Sequence, residues 1–433
     1  MVHSGRVSVS PKPVVMGLIG IGAMGKGLLY QSTITPGAVC GAVCDVHVDR
    51  ALKTLTWLGM PFDVANTPGE MVDTIRRGRV SVCEDGLWIA GCEALDVMVE
   101  ASNAVAGAGR HTHEALLQGL PVVLMNSEID LLYGPLFADT ARRTGTTFTS
   151  CDGDQYGVLR HLIDEIRGWG FELVMAGNIK GFLDRYATAS TVAAEADLRH
   201  LDHRMCAAYT DGTKLNIEMA ILANAYGLRT SQAGMRGPAL NNVHEVLQAF
   251  DFDDLRRAPA PAVDYILGAE PGGGVFVVGY CDNAYQRQML AYYKMGNGPH
   301  YLFQRPYHLC HIEAMRTVVE AVRHRRGLMQ PTFGFATNVY AYAKRDLAAG
   351  TPLDGIGGQC CYGLIENNAE GQDGVPIGLA DEVVLTRAVA RDEKIHLRDV
   401  SYDSSRVSFR LFDDATRASD AIRQQRGSLA GPT

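Results

Sequence analysis

The sequence predicts an α/β chain built on a doubly wound parallel sheet, followed by a central α+β unit and a small C-terminal β unit. Three observations carry that prediction. A short apolar run from Val14 to Ile19 leads into Gly20, Gly22 and Gly25 on a G-x-G-x-x-G pattern, with a helix-forming run after it. A second apolar run, 38–44, ends in the acid Asp45, 20 residues past Gly25. From there to about residue 150, apolar strands alternate with helical segments, the pattern of right-handed βαβ units.

Each part of the first motif has a physical task. Gly20 permits the tight turn, Gly22 lets the backbone approach a pyrophosphate, and Gly25 lets helix and strand pack closely. The helix then opens at Ala23 and Met24, where free N–H groups and the positive dipole end face the phosphates. Asp45 is placed to accept hydrogen bonds from an adenosine ribose. This is the Rossmann arrangement for a dinucleotide, NAD or NADP. Asp45 repels a 2′-phosphate and so favours NAD, whereas His47 and Arg50 leave room for NADP.

The remaining elements follow in order. Residues 49–58, 71–77, 112–118 and 133–143 read as helices. Residues 80–83, 95–101, 121–126 and 146–150 read as strands. Ligands bind beyond the carboxyl ends of such strands. Those ends carry Ser102 and Asn103, Asn126 and Glu128, and Asp154. The first three join the glycine loop as cofactor-binding candidates, and Glu128 and Asp154 are substrate-binding candidates. Beyond residue 170 a strand over 171–176 runs into a loop at 177–181. A long amphipathic helix follows at 191–208, then a helix entered through a capped turn at 211–224. A strand at 275–278 and another at 301–303 precede a helix reaching 322. From 331 the chain reads as strands and turns, and from about 415 as a polar, loosely attached tail. The implied division is an N-terminal arm (1–12), a dinucleotide-binding domain (13–160), a catalytic and oligomerisation domain (161–330), a β domain (331–410) and a tail (411–433).

Composition narrows the function classes. The chain has 433 residues, 47% hydrophobic and 20% charged, as expected of a globular protein of two or three domains. Its net charge of −8 and lack of long basic runs argue against nucleic acid as a partner. No apolar window is long enough for a membrane span. The start has no signal-peptide core, and the ten cysteines form no C-x-x-C pair. Both features point to the reducing cytoplasm. His308 and His311 lack an evident third ligand, so no bound metal is expected.

The catalytic candidates lie in the middle of the chain. Lys180 follows a strand end between glycines. Lys214 begins a helix, where a positive charge is disfavoured without a partner such as Asp211 or Glu218, or an anionic ligand. Arg305 precedes a proline in an extended segment suited to a fork contact. Tyr307 and His308 sit beside it, Tyr307 as a substrate contact and His308 as a proton donor. Glu218 shares a helix face with Lys214. Lys180, Lys214 and Arg305 are expected to converge on one site with few carboxylates near, which favours an anionic small-molecule substrate.

Several runs give the chain a family resemblance: residues 17–25, Met-Asn-Ser-Glu-Ile-Asp at 125–130 and Asp-Gly-Thr-Lys-Leu-Asn-Ile-Glu-Met-Ala at 211–220. To these are added Gly-Val-Phe-Val-Val at 274–278, Gly-Asn-Gly-Pro at 296–299, Arg-Pro-Tyr-His-Leu at 305–309 and Ala-Lys-Arg-Asp-Leu-Ala-Ala-Gly at 343–350. With these the chain resembles homoserine-dehydrogenase-like oxidoreductases carrying a C-terminal SAF domain, and within them 1-deoxy-D-xylulose-5-phosphate reductoisomerase-like enzymes. The resemblance implies NAD(P)H as cofactor, a homodimer or homotetramer, and Lys180, Lys214, Arg305 and His308 on the substrate side. The loops at 151–156 and 177–186 depart from that family, and Phe182 and Tyr186 there suggest a differently shaped substrate. The expected activity is NAD(P)-dependent oxidation or reduction of a hydroxylated, anionic carbohydrate-like compound: a sugar phosphate, sugar acid or nucleotide-linked sugar, with or without skeletal rearrangement. The alternatives are a non-redox isomerase or lyase with tightly held NAD, and a nucleotide-sensing binding protein.

Overall fold

In the computed structural model, residues 12–199, 201–368 and 373–429 are described. The arm expected over 1–12 lies outside them apart from Lys12. The first sheet holds seven strands: β1 (Val14–Ile19), β2 (Ala38–Cys44), β3 (Phe62–Val64), β4 (Val80–Cys83), β5 (Val97–Glu100), β6 (Val122–Leu124) and β7 (Phe148–Ser150). Their order is β3-β4-β2-β1-β5-β6-β7, and every pairing is parallel. The order reverses at β1, so the crevice at its carboxyl end lies between β2 and β5. Valine-rich strands with helices on both faces bury Met16, Leu18, Val43, Val82, Val99 and Val123 completely.

The second sheet holds β8 (Glu172–Lys180), β9 (Ala262–Leu267), β10 (Val275–Tyr280) and β11 (His300–Arg305) in the order β11-β10-β8-β9. β8 runs parallel to β9, while β10 is antiparallel to both β8 and β11. The loop expected at 177–181 is therefore strand as far as Lys180. The ladder to β9 continues through Lys180 opposite Leu267, and that pairing overrides the local glycine signal.

One helix, Thr213–Tyr226, joins the three parts of the molecule, and every residue from Thr213 to Ala225 is buried. It packs against the helices Ser127–Thr144 and Gln155–Gly168 of the first unit. On another side it carries the antiparallel pair β12 (Thr337–Ala343) and β13 (Cys361–Asn367). Its side chains accept hydrogen bonds from those strands. Thr213 Oγ1 takes Gly363 N at 2.8 Å, Asn216 Oδ1 takes Ile365 N at 2.9 Å, and Asn224 Oδ1 takes Thr337 N at 2.8 Å. Buried strand amides need such partners, and here a helix supplies them.

Two expectations are corrected here. The helix read over 191–208 is two helices, Ala193–Leu198 and His203–Thr210, because Asp202 caps the second by accepting from Met205 N at 3.0 Å. The polar tail is a 23-residue helix, Val407–Leu429, packed on Ser127–Thr144. One stripe, with Leu411, Ala415 and Ser419 buried at a spacing of four, faces the molecule, while Phe409 is buried separately against the Tyr402 ring. Ser419 Oγ accepts from Phe335 N at 2.8 Å and ties the helix to the turn before β12. Residues 430–433 lie outside the described chain. Leu411→Ala should lower unfolding stability by about 2–4 kcal/mol in denaturant titration, as for a core leucine. A loose tail would give a change within ~0.5 kcal/mol.

Candidate functional site

The glycine loop has the geometry its sequence predicts. Gly20 adopts φ +89°, and a Cβ there would meet Ser102 N, after β5, at 2.6 Å. A Cβ on Gly25 would come within 1.8 Å of the Gly20 carbonyl oxygen. Gly22 is different: it is exposed, and a Cβ there would meet nothing within 4 Å. It is the N-cap of the helix Ala23–Ile34 and has no side-chain cap, so the first helical amides are open to a ligand. This open, uncapped cradle fits a dinucleotide pyrophosphate.

Asp45 is buried at the end of β2. Its Oδ2 accepts from Ile21 N at 2.7 Å and its Oδ1 from His47 N at 2.7 Å. The carboxylate thus fixes the glycine loop, while each oxygen retains a further lone pair. Glu100, at the end of β5, accepts from Ser102 N at 2.8 Å. Burial lifts its carboxyl to about 7, against the hydrogen bonds from Ser102 and Asn126.

A contiguous path leads from this loop to a buried ionic cluster. Ser102 Oγ accepts from Ala104 N at 3.3 Å, and the Ala104 carbonyl accepts from Asn126 Nδ2 at 2.8 Å. Asn126 caps the helix Ser127–Thr144, so Ser127 and Glu128 stand in its first turn. Lys214 Nζ donates to Ser127 Oγ and to Glu128 Oε1, the latter at 2.9 Å. Both members of this pair are buried, with side-chain exposures of 7% and 5%. Burial works against the Lys214 charge, but Glu128, Tyr209, Glu218 and Asp154 more than offset it, so the ammonium stays protonated.

The cluster extends beyond that pair. Burial, and then Asp154, pushes the Glu218 carboxyl well above the usual range, against Lys214 and Lys180. Burial thus favours the neutral form of Glu218. Lys180 goes the other way: burial lowers its ammonium, opposed by Glu218 and Asp211. Asp211 itself pairs with Lys344 at 2.8 Å. The structure thus brings Lys180, Lys214, Glu218, Glu128 and Asp154 together.

Several expectations change. The partner of Lys214 is Glu128, on the helix Ser127–Thr144, rather than Asp211 or an exposed pair with Glu218. The surroundings are mixed in charge, because four carboxyl groups converge with the lysines. Arg305 lies at the end of β11, with its guanidinium bound to Glu313 and lying over the exposed Tyr307 ring at 4.6 Å. Its fork contact is internal. Tyr186 faces the C-terminal unit and donates to Asp392 Oδ2 at 2.8 Å. His308 and His311 diverge. His311 packs on Gly27 of the first helix, while the His308 Nδ1 lies 2.8 Å from the Gly273 carbonyl oxygen. Asn103 is exposed beyond β5.

Sequence reasoning missed three residues here. Asn178, two positions before Lys180 on β8 and hence on the same face, is 1% exposed, and neither side-chain amide atom has a partner. Tyr209 lies over the cluster: burial raises its phenol, Lys214 opposes this, and Asp154, Glu218 and Glu128 add to it. Cys310 Sγ lies 3.8 Å from Asp154 Oδ1. The unpartnered amide and the tyrosine have no local sequence signal, because β8 and the helix His203–Thr210 meet the cluster only in the folded chain.

Residues 153–314 match the family model described as the oxidoreductase DRL catalytic domain. No curated protein matches the chain. Among solved structures, a probable dehydrogenase from Thermotoga maritima is 10% identical, with TM-score 0.43, covering 72% of this chain and 90% of its own. The 1-deoxy-D-xylulose 5-phosphate reductoisomerase from Zymomonas mobilis, in complex with NADPH, is 16% identical, with TM-score 0.33, covering 48% of this chain and 57% of its own. An oxidoreductase from Agrobacterium radiobacter, in complex with NAD+, L-tartaric acid and magnesium, is 12% identical, with TM-score 0.29, covering 40% and 45%. The matched segment, 153–314, is the one that supplies Asp154, Lys180, Lys214, Glu218 and Arg305. Among the described residues, no helix is long and apolar enough to cross a membrane.

Two variants test the geometry. Gly22→Val should fold normally, since the added side chain meets no protein atom, and should abolish dinucleotide binding in a fluorescence titration. Glu128→Ala strands the Lys214 ammonium in the interior and should lower unfolding stability by about 3–5 kcal/mol in denaturant melts.

Proposed function

We propose that the chain is an NAD(P)-dependent oxidoreductase acting on a hydroxylated, carbohydrate-like small molecule that carries an acid or phosphate group. The observation that supports this most is the continuity between the open glycine cradle and the buried Lys180–Lys214–Glu218–Asp154 cluster. The amides of Gly22, Ala23 and Met24 would hold the pyrophosphate, and Ser102 and Asn126 would line the way from it toward that cluster. The bound nicotinamide supplies the two-electron chemistry; this chain supplies orientation and proton control.

Within the cluster the roles divide by charge. Lys214, held charged by Glu128, is a fixed cation for the oxygen that gains negative character. Lys180, whose ammonium is weakened by burial, gives a proton to that oxygen in reduction and takes it back in oxidation. Glu218 donates its carboxyl proton to a substrate hydroxyl, and Asp154 accepts from another. Tyr209 and Asn178, both buried, add polar groups beside this cluster. Asp45 favours NAD over NADP. The β12–β13 pair and the 343–350 run support a SAF-like reading of residues 331–410. The helix Ala284–Tyr292, which has no buried residue, is the surface this reading assigns to a homodimer or homotetramer contact.

The test is a screen of polyols, sugar acids and sugar phosphates with NAD+ and NADP+, following the absorbance of the reduced nicotinamide. Turnover without net absorbance change would instead favour an internal redox isomerase, and binding without turnover a sensor. With a substrate in hand, Lys180→Met should lower kcat by roughly 10²–10⁴-fold. The alkaline rise in the oxidation rate should vanish with it, because the group that must lose its proton is gone. A Lys180→Met enzyme with normal kcat and an unchanged pH profile would remove Lys180 from the proton path.

A further inference from the structure

Three side chains of different chemistry meet beside the lysine cluster. The ligand atoms offered by Asp154, His308 and Cys310 all lie within 4.8 Å of one another. Two segments supply them, Asp154 from the turn after β7 and His308 and Cys310 from the stretch that opens the helix Cys310–Arg323, and the backbone holds them together. Gly153 has φ +88°, and a Cβ there would lie 2.4 Å from the Cys310 carbonyl oxygen, so the turn that carries Asp154 presses directly on the start of the helix Cys310–Arg323. The His308 Nδ1 is tied to the Gly273 carbonyl at 2.8 Å, and Gly273 N donates to Ile179 O at 3.0 Å, which anchors this loop on β8.

We propose that Asp154, His308 and Cys310 bind a divalent transition-metal ion of the borderline class, such as Zn2+. Three features of the arrangement fit such an ion. First, a histidine ligand characteristically gives its other ring N–H to a carbonyl or carboxylate, which fixes the tautomer. The Gly273 contact does that for Nδ1, so the proposed ligand atom is Nε2. Second, tetrahedral bonds of about 2.0 Å to N or O and about 2.3 Å to S give ligand–ligand edges of roughly 3.3–3.8 Å. The O–S edge of that tetrahedron is about 3.5 Å, and the Cys310 Sγ to Asp154 Oδ1 separation of 3.8 Å lies about 0.3 Å from it. Third, Asp154 Oδ1 already accepts from Gln155 N at 2.9 Å, which orients the carboxylate.

Ligand chemistry selects the metal. Thiolate plus imidazole suits Zn2+ and its neighbours, whereas Mg2+ takes an all-oxygen shell. Three protein ligands leave one tetrahedral position open, as in catalytic rather than structural sites. Glu218, in the same buried cluster as Asp154, is 3% exposed and forms no side-chain hydrogen bond or ion pair among the described residues. The site is independent of the nicotinamide cradle, so metal binding and dinucleotide binding can be read separately on one sample.

The experiment uses the full chain, stripped with a chelator and titrated with Co2+ as a spectroscopic substitute, then with Zn2+. The expected result is one Co2+ per chain, with a thiolate-to-cobalt charge-transfer band that Zn2+ abolishes. Cys310→Ser should lose the band, and His308→Ala should weaken binding by at least about 100-fold. Cys206→Ser, on the helix His203–Thr210, should keep the band. X-ray absorption of the unmodified zinc-loaded chain should show one sulfur and otherwise nitrogen or oxygen neighbours, a measurement that needs no variant to fold. The proposal is overturned by less than stoichiometric Co2+ uptake, by a sulfur-free metal shell, or by a band that survives in Cys310→Ser. NAD(P) titration of the metal-free chain tests the cofactor reading by itself.

Discussion

The Lys214–Glu128 ion pair is the constraint on which the site depends. It spans 86 residues of sequence and joins the first turn of a helix in the dinucleotide-binding unit to the first turn of the central helix. Removing both charges from water costs several kcal/mol per ion, and a single contact seldom recovers that. Here Lys214 also donates to Ser127 Oγ, and Tyr209, Glu218 and Asp154 face it. The pair therefore specifies geometry: the ends of β6 and the start of the central helix have one relative placement in which neither charge is stranded. Lys180, Glu218 and Asp154 take their electrostatic character from that placement.

The central helix serves two purposes on interleaved positions. Lys214 and Glu218, four apart, face the cluster. Asn216 and Asn224, in step with Thr213, face the β12–β13 strands and satisfy their amides. Polar residues on two faces of a fully buried helix are expensive unless all are satisfied. One face is satisfied by backbone. The other is satisfied by charge and, at Glu218, by the neutral form that burial favours. The same helix thus ties the C-terminal strands into the unit that carries the chemistry.

How much of this was legible follows the range of the interactions. The glycine loop was readable residue by residue, because strand, turn and helix start lie within a dozen positions and each glycine has a separate steric reason. The alternation of strands and helices to residue 150 was readable for the same local reason. The partner of Lys214 was not, since sequence offered Asp211 and Glu218 within one turn and the real partner lies on the helix Ser127–Thr144. Cys310 looked like one scattered cysteine until the Gly153 turn set Asp154 against it. Lys180 was given to a loop because flanking glycines outweigh strand signals locally, while the ladder to β9 is a long-range fact. The C-terminal helix was hidden by its polar face: Leu411, Ala415 and Ser419 are its buried positions, and charged residues between them mask the stripe.

That last helix bears on the order in which the molecule is made. Val407–Leu429 covers a face of Ser127–Thr144, yet roughly 260 residues separate the two. At synthesis rates of about 5–20 residues per second, that face waits roughly 15–50 s for its cover. Throughout that interval the nascent dinucleotide-binding unit presents to the cell the apolar strip that Leu411 will later close against Gly109. Chaperone occupancy on the ribosome should concentrate there, and premature termination just after Ser401, past the last strand pair, would leave a protein whose sheets are complete but whose surface is sticky.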